Sequence, residues 1–358
     1  VCSIPKDVGS RSDFVALSFD EAHGRVPKPV ETQVTLRALE RPVFAYGYQM
    51  VDNRSGNGDG RVQKGENFTM YLTVKNIGKG RSYETQVNLK NLSGDGVLLH
   101  EGRFDVSNLA PGESRKLAFT FDVQPKIESN EAKFEISVSD RDLRETVGEK
   151  IRLPISLPAA FTPASGTVKS KGGDVFLLES PDATGRVFGK LTGSAEVMAK
   201  VAEFTKVKLD ASRFAFVRTA DVADGGAASS AGLFDDVMGH MPPNFEIAPP
   251  EVATRATSVT VRGSVSDGNR ILDGYVFVGS RKIFYQSNRN GADPKKMAFQ
   301  TDVPLRPGIN VITVVARESA DTTGRRTFVV RRDGPNGEYL ATPKNDDELS
   351  ENAGAGDD

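Results

Sequence analysis

The side chains Asp52, Asn57, Asp59 and Glu66 stand on one short segment, interleaved with Gly56, Gly58, Gly60 and Gly65. Carboxylate and carboxamide oxygens so closely spaced are what a hard cation such as calcium takes as ligands, and glycine permits the sharp turn that brings them round it. With Ser55 as loop position 1, Asn57, Asp59, Gly60 and Glu66 fall at positions 3, 5, 6 and 12 of a calcium loop. Serine replaces the usual aspartate at position 1, and no helical pattern flanks the loop, so a helix–loop–helix calcium hand is not expected. Two readings stay open. Asp52, Asn57, Asp59 and Glu66 bind calcium on a β scaffold, or Asn57-Gly58 and Asp59-Gly60 serve only the positive backbone angles of a hairpin turn.

Other reactive residue types form no set. Gly193-Ser194-Ala195-Glu196 places a serine a few residues before Lys200 and Lys206. A serine–lysine nucleophile needs a desolvated lysine beside it and an oxyanion hole, and the segment reads instead as a turn entering a strand. His23, His100 and His240 are far apart in the chain, and Cys2 is the single cysteine, so neither a zinc site nor a histidine-based triad is expected. No internal disulfide can form. The glycine clusters lack the Gly-Lys-Ser/Thr ending of a phosphate loop. Arg325, Arg326, Arg331 and Arg332 read as a solvated basic patch along a strand. Phe44, Tyr46 and Tyr48 alternate, which places them on one sheet face and predicts core.

The elements that must position these residues are strands. Apolar and polar residues alternate over 32–38, 42–51, 68–74, 84–89, 96–99, 115–121, 132–138 and 149–155, with glycine- and proline-bearing turns between. This spacing predicts a β-sandwich over 31–158. A linker over 159–173 leads to about five short strands in 174–223, the pattern of a small Src-homology-three-like barrel. There, 195–204 fits a helical period as well as a strand, and strand is the expectation. A second linker, 224–248, precedes an immunoglobulin-like sandwich over 249–333. Residues 334–358 are predicted to be a disordered acidic tail. The predicted class is thus all-β, two sandwiches flanking a small barrel, with residues 1–30 as an N-terminal segment, the end of a preceding domain.

Composition bounds the partners. The chain has 358 residues, 38% hydrophobic, with 35 Gly and 19 Pro, which suits several small β-rich cores. The formal net charge of -2 gives no electrostatic case for nucleic acid. The last 18 residues set Lys344 against Asp346, Asp347, Glu348, Glu351, Asp357 and Asp358, a net of -5. No apolar run reaches the roughly 20 residues of a membrane span. No signal peptide stands in the sequence, and the start at Val1 without methionine is expected of a fragment or a processed product.

Residues 56–66 followed by Leu72-Thr-Val-Lys-Asn-Ile-Gly78 resemble the cell-adhesion-related bacterial sandwich domain called CARDB. Leu305-Arg-Pro-Gly-Ile-Asn-Val-Ile-Thr-Val-Val-Ala-Arg317 resembles bacterial immunoglobulin-like domains, in which such a turn leads into a long core strand. With the middle segment between them, the chain is similar to the non-catalytic carboxyl-terminal extension of exported, PDZ-containing carboxyl-terminal-processing serine peptidases. That resemblance covers about 31–332. It implies a periplasmic or extracellular location and a protein or peptide partner. The family's catalytic serine and lysine match no residues of this chain, so no catalytic role is carried over. The expected function is a binding or accessory region of an exported bacterial protein. The alternative is a stand-alone structural or adhesive surface protein built of sandwich modules.

Overall fold

A computed structural model describes residues 3–19, 22–24, 28–52, 56–183, 185–229 and 232–343, with the side chains of 11–14 left aside. Cys2, Ser55 and the acidic residues of 346–358 lie outside the described residues. The described chain is all-β, with helical geometry only in single 3-10 turns at Gly94–Gly96 and Thr219–Asp221. No helix among the described residues is long and apolar enough to cross a membrane. Two compact units emerge. The central unit comprises Pro42–Ser139 and Val147–Pro242, and the terminal unit the remainder. In the terminal unit, strands β1 (Arg11–Leu17) and β2 (Val30–Leu36) pair antiparallel from Arg11↔Leu36 to Leu17↔Val30.

The central unit opens with the predicted sandwich. Its strands are β3 (Phe44–Val51), β4 (Asn67–Asn76), β5 (Thr85–Asn91), β6 (Val97–Leu99), β7 (Arg103–Asp105), β8 (Ser114–Val123), β9 (Glu131–Asp140) and β10 (Glu145–Pro154). One sheet runs β3-β4-β8-β6, and the facing strands run β10-β9-β5-β7. Phe44, Tyr46 and Tyr48 enter the core as their alternation predicts, joined by Phe68, Met70, Phe119, Phe121 and Phe134. The Phe121 ring on β8 meets Phe68 at 5.5 Å and, across the sheets, Phe134 at 4.6 Å. Each fully buried aromatic of this kind contributes about 1.5–3 kcal/mol. Asn76 closes the sandwich end: its amide donates to the Gly80 and Leu109 carbonyls, and its oxygen accepts from Val43 and Gly78 N–H.

A second sheet completes the central unit: β11 (Thr162–Pro163), β12 (Thr167–Ser170), β13 (Val175–Leu178), β14 (Val187–Leu191), β15 (Ala195–Val201), β16 (Phe204–Lys208), β17 (Phe214–Arg218), β18 (Val222–Asp224) and β19 (Phe234–Asp236). The order runs open, β18-β12-β15-β16-β17-β13-β14-β19, so a barrel is not closed. The stretches read as linkers are part of this structure: 159–173 carries β11 and β12, and 224–248 carries β19. Short strands there find partners on β15 and β14, which composition does not show. Residues 195–201 alternate strictly between buried and exposed, which settles the ambiguous period as strand. The strand breaks at a two-residue turn, where Ala202 has φ 49°.

The terminal unit's sandwich comprises β20 (Asn244–Ala248), β21 (Ala253–Thr254), β22 (Ser258–Ser266), β23 (Asp273–Val278), β24 (Arg281–Ser287), β25 (Lys296–Pro304), β26 (Gly308–Arg317) and β27 (Thr322–Arg332). β20-β22-β25 faces β24-β23-β26-β27 over a core that includes Val261, Val276, Met297, Ile312 and Val330. Two expectations need correction here. Arg326 is not solvated surface: it is 6% exposed and pairs with Glu145, because β27 alternates and this position faces inward. Residues 334–343 are not free of contacts. Tyr339 lies under the Arg331 guanidinium at 4.3 Å, and Thr342 Oγ1 accepts the Ile309 N–H.

Candidate functional site

The predicted loop joins β3 to β4, and Asp52 is its organiser. Asp52 Oδ2 accepts the N–H groups of Gly58 (2.8 Å) and Asp59 (3.1 Å), and Oδ1 that of Gly60 (3.2 Å). Gly58 and Gly60 have φ of 72° and 69°, so the left-handed backbone that glycine tolerates aims these N–H groups at one carboxylate. Asp59 is itself buried. Its Oδ1 accepts the Arg61 N–H at 2.8 Å, and its Oδ2 accepts Gln63 Nε2 at 2.8 Å and the Ala159 N–H at 2.7 Å. Asn57 Oδ1 takes the Asp59 N–H at 2.9 Å. Glu66 is buried beside them, and its Oε2 has no hydrogen-bond partner.

A cation is already present in the fold. Lys206, on β16, donates from Nζ to the Gly58 carbonyl at 2.5 Å. The same ammonium lies 3.9 Å from the Phe214 ring centroid and 5.1 Å from that of Phe161. Burial pulls the Lys206 pKa down, opposed by the charges of Asp52 and Asp59. Burial pushes Asp52 up, against the N–H donors that hold it down. Glu66 is pushed up to about 7, first by burial and then by the negative charges of Asp52 and Asp59. The loop therefore gathers three carboxyl groups, with Lys206 facing the charges of Asp52 and Asp59, and Glu66, whose Oε2 accepts no hydrogen bond, gives way.

The four predicted ligands thus come together around one loop, but their oxygens are already engaged. Asp52 Oδ2 and Asp59 Oδ2 each accept two N–H donors, Asp52 Oδ1, Asn57 Oδ1 and Asp59 Oδ1 accept one each, and Glu66 Oε2 accepts none. Among the described residues no group of three or more His, Cys, Asp or Glu side chains stands as a metal-holding set.

The loop instead fastens the sandwich to the second sheet inside the central unit. A Cβ on Gly60 would lie 1.9 Å from the Glu179 carbonyl oxygen, so only glycine allows that approach. Arg61 grips Asp182 with Nε (3.2 Å) and Nη2 (2.8 Å). Val51, Leu178, Val201, Phe204, Phe214 and Phe216 form an apolar cluster at this seam. Every residue of β3 is buried, one face against its own core and the other against the second sheet.

Beside this seam lies a buried polar group that the sequence did not reveal. Glu179 accepts the Met50 N–H at 3.2 Å, and Arg186 lies over the Tyr48 ring at 4.3 Å. Glu149 Oε2 accepts Tyr46 Oη and faces His240 Nδ1, each at 2.9 Å. The His240 ring stacks on Tyr46 and Tyr48, both at 5.1 Å. Burial holds the Tyr48 phenol above its ordinary range and Glu179 above the usual carboxylate range. These partners are separated by about a hundred residues or more, and only the odd charge directly after the apolar strand β13 could have hinted at Glu179.

Ser194 has no catalytic surroundings. Its Oγ donates to the Gly225 carbonyl at 3.0 Å, and its N–H to Ser229 Oγ at 2.9 Å. Lys200 is exposed on β15, between Thr162 and Thr205 of the flanking strands, and Lys206 is committed to the loop.

The family model CARDB matches residues 51–146, which is the sandwich from the end of β3 to the start of β10. No curated protein matches the chain. Among solved structures the chain is similar to the crystal structure of dimeric latent PorU from Porphyromonas gingivalis, at 12% identity and a TM-score of 0.20. That match covers 85% of this chain and 35% of the other, so the chain spans about a third of its length, and at this score it carries no argument.

Proposed function

We propose that this chain is a non-catalytic binding and accessory region of an exported bacterial protein, with a serine peptidase as the parent, acting in the periplasm or outside the cell to position protein or peptide partners. The observation that carries this reading is the CARDB match over the first sandwich. The mechanical design supports it. A sandwich and a second sheet are locked by Lys206, Arg61 and the Gly60 approach, which makes a rigid body for presenting loops and strand edges. We further propose that the aspartate loop is a structural latch in which Lys206 does the work of a metal.

Immunoblotting fractionated source cells with an antibody to this chain tests the reading. The expected result is a band well above 38.6 kDa in the periplasmic or extracellular fraction. A band confined to the cytoplasm overturns export. A band at 38.6 kDa, with no larger precursor in a pulse-chase, overturns the larger parent.

A further inference from the structure

In the terminal unit the sheet β24-β23-β26-β27 ends at β24, which pairs with β23 on one side and has no strand on the other. Register fixes what this open edge offers. The Asn288 N–H bonds the Leu272 carbonyl, and the Gly279 N–H bonds the Val311 carbonyl, each at 2.9 Å. Gly274 stands opposite Gln286 and Tyr275 opposite Val315. The alternation of an antiparallel ladder therefore turns the backbone N–H and C=O of Tyr285 and Ser287 away from β23, toward the open edge. Such a row of free groups is a template for a further strand.

The side chains along this edge select what can pair with it. Tyr285 is 54% exposed, whereas among the described residues no large apolar side chain is exposed on β20 or β25, the edges of the facing sheet. Val276 enters the core, so Tyr275 and Tyr285 share the outer face, with ring centroids 5.1 Å apart. Lys282 holds its ammonium 5.0 Å from the Tyr275 ring centroid. Arg281 begins β24 and Arg289 follows its end, both exposed. The neighbouring Arg317 is paired with Asp273, but among the described residues Arg281, Lys282 and Arg289 make no ion pair. A second copy of β24 laid against the first would set these cations against their own kind, which opposes self-pairing and favours an acidic strand.

We propose that β24 takes up an extended acidic peptide segment as an added strand. Its main chain bonds Tyr285 and Ser287, an apolar side chain rests on the Tyr285–Tyr275 pair, and its carboxylates face Arg281, Lys282 and Arg289. This rests on the partner-binding role proposed above and adds to it the edge used and the chemistry of the partner.

The test uses the whole chain and the peptide fluorescein-Glu-Val-Asp-Thr-Glu-Val-Asp amide, read by fluorescence anisotropy and by amide exchange. Binding is expected at a Kd of about 10–100 µM, with new protection at the Tyr285 and Ser287 amides. Lysine in place of every acidic residue of the peptide is expected to abolish binding. Proline in place of both valines is expected to do the same, because it removes N–H donors that a paired strand needs. Arg281→Glu combined with Lys282→Glu, both exposed, is expected to weaken binding at least about tenfold. If that variant melts early, the lysine and proline peptides decide. Equal binding of either control peptide, protection elsewhere than β24, or no binding at about 1 mM overturns the proposal. So does protection of Tyr285 and Ser287 that grows with protein concentration in the absence of peptide, which assigns the edge to a second copy. None of these results bears on the export and size tests above.

Discussion

Substituting Glu66 with glutamine isolates the electrostatic cost of the loop. The folded Glu66 carboxyl titrates at about 7 against an ordinary 4.5, because burial and the charges of Asp52 and Asp59 disfavour its anion. Below the ordinary value the group is neutral in both states, and its full contribution to folding is present. As the pH rises, the unfolded chain ionises first and binds fewer protons than the folded one, so stability falls until the folded carboxyl ionises too. The shift corresponds to at most about 3 kcal/mol, and screening near a surface loop reduces this to about 1–2 kcal/mol. Glutamine stays neutral throughout and keeps an oxygen for the N–H groups of Asn57 and Gln63. Urea unfolding of both proteins at about pH 5 and about pH 8 reads the difference. The expected result is that Glu66→Gln gains about 1–2 kcal/mol on wild type between the two. Parallel pH profiles would refute a buried, charge-crowded Glu66, whatever the absolute stabilities.

The same loop yields three further tests. Lys206→Met keeps the aliphatic stem and removes the ammonium, so it is expected to cost about 1–3 kcal/mol in urea unfolding; wild-type stability would show that the ammonium does not hold the loop. Gly60→Ala sets a Cβ against the Glu179 carbonyl at a φ of 69°, and a loss of at least about 2–3 kcal/mol is expected; wild-type stability would show that the seam is looser than described. With Lys206 as the resident cation, neither EGTA nor millimolar calcium should move the melting temperature. A calcium-dependent rise would restore Asp52, Asn57, Asp59 and Glu66 as metal ligands.

What was legible in the sequence was whatever depends on neighbours a few residues apart. Alternation placed Phe44, Tyr46 and Tyr48 in the core and gave most strand positions, because the side-chain period of a strand is local. The turn residues Gly58 and Gly60 were legible for the same reason. The error over 159–173 and 224–248 is of another kind. Strands of two to four residues, such as β11 and β19, owe their existence to partners on β15 and β14, and proline- and glycine-rich composition reads as linker when the partner is unknown. Arg326 misled likewise, since four arginines on one strand look solvated until Glu145 is brought beside one of them.

The loop shows why a motif at the right spacing did not settle its own chemistry. Spacing fixed which oxygens would meet, and they do meet. It could not fix how many lone pairs would remain, because the loop's own N–H groups are joined by donors from 100 or more residues away: the Ala159 N–H on Asp59, and Lys206 on the Gly58 carbonyl. A cluster of carboxylates needs positive charge, and a buried lysine whose ammonium lies over the Phe214 and Phe161 rings supplies it without the entropy of capturing an ion. That lysine also belongs to a different sheet, so the charge balance of the loop depends on the seam being closed. Removing Lys206 should therefore loosen the joint between sandwich and second sheet, with amide exchange rising first in β3 and β16 rather than evenly through the core.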